Sequence, residues 1–163
     1  MERIDISSPV IGVVGAGTCP PELSEVAAEV GREIARKGAV LVCGGLEGVM
    51  SDAARGAKEI GGVTVGILPG ASTADANEFI DLPIATNMGQ ARNAIIVHTA
   101  DVLIAVGGGY GTLSEIALAL KIGKGVVVLQ PQIQVPGVLV AQTPVGAVDE
   151  ALTLIELGRP RLK

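Results

Sequence analysis

The stretch Asp101-Val102-Leu103-Ile104-Ala105-Val106-Gly107-Gly108-Gly109-Tyr110-Gly111-Thr112-Leu113-Ser114-Glu115 decides the fold. After Asp101 it runs apolar to Val106, the mark of a strand buried on both faces. Glycines then break the run, and Leu113, Ile116, Ala117 and Leu120 recur at helical spacing. A buried strand, a flexible turn and a helix therefore follow one another directly. The first N–H groups of such a helix have no carbonyl partner, and the macrodipole adds partial positive charge there, so the turn suits an anion. Glycine lets the backbone approach a phosphate with no Cβ in the way. The reading is a phosphate-bearing small ligand held at Gly108, Gly109, Gly111 and Thr112, with Glu115 just behind it.

Outward from this stretch, apolar runs alternate with amphipathic segments, as in a parallel sheet covered by helices on both faces. Strands are expected at Val10–Val14, Ala39–Cys43, Val63–Leu68, Asp101–Val106 and Gly125–Leu129, with shorter ones at Ile80–Ala85 and Gly137–Ala141. Helices are expected at Glu22–Lys37, Glu47–Ile60, Gln90–Thr99, Leu113–Ile122 and Val145–Leu157, and Pro69–Phe79 reads as a ligand-facing loop. The fold class is α/β, Rossmann-like and doubly wound, in one domain over residues 1–163. Gly15-Ala16-Gly17, Gly44-Gly45 with Gly48, and Gly107–Gly111 all fall at strand ends, where open sheets bind ligands. Gly17, Gly44 and Gly45 thereby join the candidate ligand-binding residues. A nicotinamide dinucleotide site is not expected, because the first turn lacks its third glycine and no acid ends the second strand.

With one Phe, one Tyr and no Trp, the core must be built of Val, Ile, Leu and Ala. A formal charge of −5 argues against a nucleic-acid surface, which needs a basic face. Residues 158–163 hold the one basic cluster, Arg159, Arg161 and Lys163, read as a solvated tail. Cys19 and Cys43 make neither a CxxC site nor a disulfide framework and fit a reducing cytoplasm. No signal segment or bilayer-length apolar run is evident, so the protein is expected to be cytoplasmic, with no membrane partner. His98 is the lone histidine and has no acidic or thiol cluster beside it, so no metal site is expected.

Thr112-Leu113-Ser114-Glu115 also fits a capping box, with Thr112 at the N-cap and Glu115 at the third helical position. The capping and ligand-facing readings of Glu115 are compatible. In the first turn its carboxylate would be stabilised as the anion and stay charged at neutral pH, suiting it to face positive charge on a sugar carbon. Arg92 lies in a segment with few charges, and its planar fork suits phosphate or carboxylate, although a solvated surface role is the alternative. Asn93 either bonds a ligand or caps a turn. Met50 and Met88 read as core or pocket wall, and Met88 is counted among the ligand-binding candidates.

These residues resemble the LOG-like superfamily, often labelled "possible lysine decarboxylase", and within it the molybdenum cofactor carrier branch. Arg92 and Gly107-Gly108-Gly109-Tyr110-Gly111-Thr112-Leu113-Ser114-Glu115 fill the places of that family's helical Arg and its Pro-Gly-Gly-x-Gly-Thr-x-x-Glu turn without a gap. Cys43-Gly44-Gly45-Leu46-Glu47-Gly48-Val49-Met50-Ser51 resembles its earlier Gly-rich turn. The resemblance runs from about Val10 to Leu129. It implies either binding of a phosphorylated pterin cofactor without turnover, or hydrolysis of a nucleoside 5′-monophosphate such as AMP to base and ribose 5-phosphate. In the second case Arg92 and Glu115 would be catalytic. It also implies a homo-oligomer, a dimer or tetramer, with no resident cofactor required beyond a bound molybdenum cofactor or nucleotide as ligand. Lys121 and Lys124 show no feature of a pyridoxal phosphate site, so a decarboxylase is not expected. Gly107 stands for the hallmark proline, Cys43 and Ser51 for glycines, and Asn93 for the Lys common after the Arg in LOG enzymes. The Ala91-Arg92-Asn93 and Ala117–Lys124 stretches look more like the carriers.

Overall fold

A seven-stranded sheet organises the chain in a computed structural model, which describes residues 7–158. The strands are β1 (Val10–Gly15), β2 (Val40–Cys43), β3 (Val63–Leu68), β4 (Leu82–Ala85), β5 (Val102–Val106), β6 (Gly125–Leu129) and β7 (Leu139–Ala141). All pairings are parallel, in the order β4-β3-β2-β1-β5-β6-β7. The helices are α1 (Pro21–Arg36), α2 (Val49–Glu59), α3 (Asn93–Thr99), α4 (Tyr110–Lys121) and α5 (Pro144–Gly158). The expected Rossmann-like, doubly wound α/β architecture is present.

Alternation along the buried strands sends successive side chains to opposite faces. Ile11, Val13, Leu41, Ile104 and Val127 pack with α1, α2 and α5 on one face. Val14, Val42, Leu103, Ala105 and Val128 pack with α3 and α4 on the other. Apolar residues are therefore continuous along β5, where all five positions are buried. The strand order reverses between β1 and β5, whose ends pair as Val14 with Ala105 and Gly15 with Val106. Helices following these two strands leave on opposite faces and open a crevice at the rim.

Several boundaries differ from the sequence expectation. The expected helix Gln90–Thr99 divides into a 3-10 turn at Gly89–Arg92 and the α-helix α3. The expected helix Leu113–Ile122 begins earlier, at Tyr110, with Gly109 in the cap position and no side-chain cap bond. The capping box is therefore not formed: Thr112 lies inside the first turn and Glu115 in the second. Glycines after a buried strand had suggested a longer turn, but Gly111 is accommodated within the helix. Ile80–Ala85 contracts to β4, and the edge strand within Gly137–Ala141 to β7. The basic cluster Arg159–Lys163 lies outside the described residues.

Candidate functional site at the sheet's switch point

The rim crevice is a cavity of about 480 Å3. Its walls come from the end of β1 with Gly15, Ala16 and Gly17, the β2–α2 turn with Gly44, the 3-10 turn with Gln90 and Arg92, and the start of α4. Of the residues picked from sequence, Arg92, Asn93, Glu115, Gly17, Gly44, Gly109, Gly111 and Thr112 line this one space. Three are not among its walls. Gly108 forms the turn itself, at φ +100°, where a Cβ would stand 2.2 Å from Thr112 Oγ1. Gly45, at φ +74°, packs against Leu68. Met88 is 49% exposed and precedes the 3-10 turn.

Met50 does line the cavity, as do Leu46, Pro69 and Gln90. Gln90 carries little signal in the sequence beyond its place two residues before Arg92. Around the cavity the glycines work in two ways. Gly17, Gly109 and Gly111 have nothing within 4 Å of a built Cβ, so their backbones stand open to the cavity. Gly44 is needed for close approach, since a Cβ there would meet Met50 Sδ at 2.6 Å and Arg92 Nη2 at 2.7 Å.

At α4 the N–H groups of Tyr110, Gly111 and Thr112 precede the first intrahelical carbonyl acceptors, and no side chain caps them. They present donors and positive dipole to the cavity, as an oxyanion requires.

Arg92 is buried, at 9% exposure, and is anchored rather than solvated. Its Nε donates to the Ile67 carbonyl at 2.9 Å, and Nη1 donates to Asn93 Oδ1. Burial lowers its pKa, while Glu115 and Cys43 pull the other way; a guanidinium remains charged regardless.

Glu115 is 8% exposed and lines the same space. Burial pushes its carboxyl up from 4.5 to about 7, and the positive charge of Arg92 opposes that rise only in part. This corrects the expectation of a permanently ionised acid. Glu115 stands a turn too deep to accept the first-turn N–H groups, so desolvation outweighs the helix dipole.

Both thiols are held toward the protonated form. Burial raises Cys43 to about 11, and burial with the neighbouring Asp52 carboxylate raises Cys19 to about 11. Lys124 donates to the carbonyls of His98, at 2.6 Å, and Ala100, closing the end of α3 rather than facing the cavity. Among the described residues no three His, Cys, Asp or Glu side chains cluster as a metal site, and no helix is long and apolar enough to cross a membrane.

The SLOG cluster4 family model matches residues 8–154. The molybdenum cofactor binding protein of the phototrophic bacterium Rippkaea orientalis superposes with a TM-score of 0.87 at 38% identity, covering 93% of this chain and 99% of that one. The molybdenum cofactor carrier protein of Chlamydomonas reinhardtii superposes with a TM-score of 0.82 at 38% identity, covering 91% and 99%. A cytokinin riboside 5′-monophosphate phosphoribohydrolase of Mycobacterium tuberculosis is 36% identical over 123 residues, 70% of this chain. The chain spans 64% of that enzyme's length.

Proposed function

Because this chain belongs to the SLOG cluster4 family, we propose that its rim cavity binds a phosphorylated heterocycle, namely the molybdenum cofactor, which it holds and hands on without turnover. One observation carries the reading: the uncapped first turn of α4 opens into the same cavity as the anchored Arg92. Amides and guanidinium together favour a doubly charged phosphate. The volume lies within the roughly 300–1,000 Å3 of small-ligand sites. On this reading Gly109, Gly111 and Thr112 hold the phosphate, and Leu46 and Met50 offer apolar surface to the ring system. The two molybdenum cofactor proteins support it, since each is matched over 99% of its length. The protein is taken to act in the cytoplasm as a homo-oligomer, a dimer or tetramer.

A second reading is a phosphoribohydrolase acting on nucleoside 5′-monophosphates. Glu115 favours it: a carboxyl titrating near 7 is suited to give a proton to a departing base. Incubating the purified protein with AMP, and separately with a pterin phosphate, separates the two. The carrier reading expects pterin phosphate to bind with no product formed, and binding to weaken at least about tenfold in Arg92→Ala. Release of adenine that disappears in both Glu115→Gln and Arg92→Ala would establish the enzyme instead.

A further inference from the structure

Arg92 and Glu115 line one cavity, yet no ion pair within 4 Å joins them among the described residues. Nor does any hydrogen bond reach the Glu115 carboxyl, although the residue is only 8% exposed, so its oxygens open onto the cavity. Once Glu115 is ionised, above about pH 7, the two opposite charges attract, and this attraction must be resisted for the guanidinium to stay where it is. Two acceptors do so. Ile67 O takes Nε and Asn93 Oδ1 takes Nη1, leaving Nη2 against Gly44. The Ile67 carbonyl belongs to β3 and is fixed by the sheet, but a single bond at Nε still leaves the fork free to tilt.

We propose that Asn93 is a positioning residue: by accepting from Nη1 it keeps the Arg92 guanidinium from closing onto Glu115, so that both groups stay open to a ligand. This deepens the ligand-binding reading and rests on it for its purpose, but its test needs no ligand. Glu115 reports on Arg92 almost alone. The strands packed against α4 (β1, β5 and β6) carry no ionisable side chain, and the His98 of α3 is exposed. Cys43, at the end of β2, is held neutral by burial at pH 7.

The experiment is an NMR pH titration of ligand-free protein carrying 13C-labelled glutamate carboxyls, with Glu115→Gln identifying the Glu115 resonance. Asn93→Ala removes the acceptor, and Asn93→Leu removes it while keeping the bulk; Asn93→Gln keeps a neutral amide oxygen as acceptor. The Glu115 midpoint is expected to fall by about 1–2 pH units in the Ala and Leu variants as the guanidinium closes in, and not to fall in the Gln variant. An unchanged midpoint in the Ala and Leu variants, or an equal fall in all three, would overturn the proposal. A pterin phosphate is titrated alongside as the probe of the proposed ligand class. If the midpoints shift as expected while wild-type protein binds no pterin phosphate, the positioning role stands and the cofactor-binding reading of the cavity fails separately.

Discussion

Glu115 carries a folding cost that its setting makes measurable. Its carboxyl titrates near 7 in the folded chain against 4.5 as the ordinary value, so between those pH values the native state keeps a proton that the unfolded chain has lost. The neutral carboxyl's contribution to stability is therefore present below about pH 4.5 and lost as pH rises through about 7. Glu115→Gln keeps the shape and removes the charge. It is expected to melt with the wild type at pH 4 and to be more stable at pH 8, by on the order of 2–3 kcal/mol. Thermal melts at the two pH values check this, and a stability difference independent of pH would contradict it. Maintaining such a cost at a cavity wall accords with a ligand that bonds the carboxyl when bound.

At the scale of the element, the start of α4 separates two roles that look alike in sequence. Gly111 sits in the helix with open space where a Cβ would be, whereas Gly108 sits at positive φ against Thr112. Gly111→Ala should stabilise the fold by about 0.5–1 kcal/mol through reduced unfolded-state freedom, while crowding the amides that face the cavity and weakening phosphate binding. Gly108→Ala should destabilise by about 1–3 kcal/mol through backbone strain and the Thr112 contact. Urea denaturation and pterin phosphate titration of both variants give the comparison; equal losses of stability would show that the two glycines do the same work. The helix starts at Tyr110 because the turn ends at Gly109, which frees Thr112 from capping and turns it into a buried cavity wall.

The whole molecule is held by unusually close contacts as well as by its apolar sheet. α1 and α2 approach so nearly that a Cβ on Gly31 would lie 1.9 Å from the Ala53 carbonyl oxygen, and one on Gly56 equally close to that of Ala28. The atoms met are backbone, so a methyl group must push the helices apart. Gly31→Ala is expected to cost about 1–3 kcal/mol in urea denaturation while leaving the ligand affinity of the folded fraction unchanged. This contact lies on the helix pair rather than on the cavity walls, so a matching loss of affinity would mean that helix packing shapes the rim directly.

Hydrophobic patterning alone determined the alternation of strands and helices, because β1, β2, β5 and β6 are buried along most of their length on both faces and hold only Val, Ile, Leu, Ala and small residues. Glycine placement likewise marked the turns at the strand ends. Element starts were less legible: the split at Arg92 depends on the side chain reaching Ile67, 25 positions away, and the start of α4 on how Gly108 turns. Tertiary structure decided the state of Glu115. Local sequence put it near a helix dipole, and only the packing of α4 against the sheet revealed the desolvation that outweighs it. Charge is set by surroundings that converge from distant parts of the chain, whereas periodicity is written into consecutive residues.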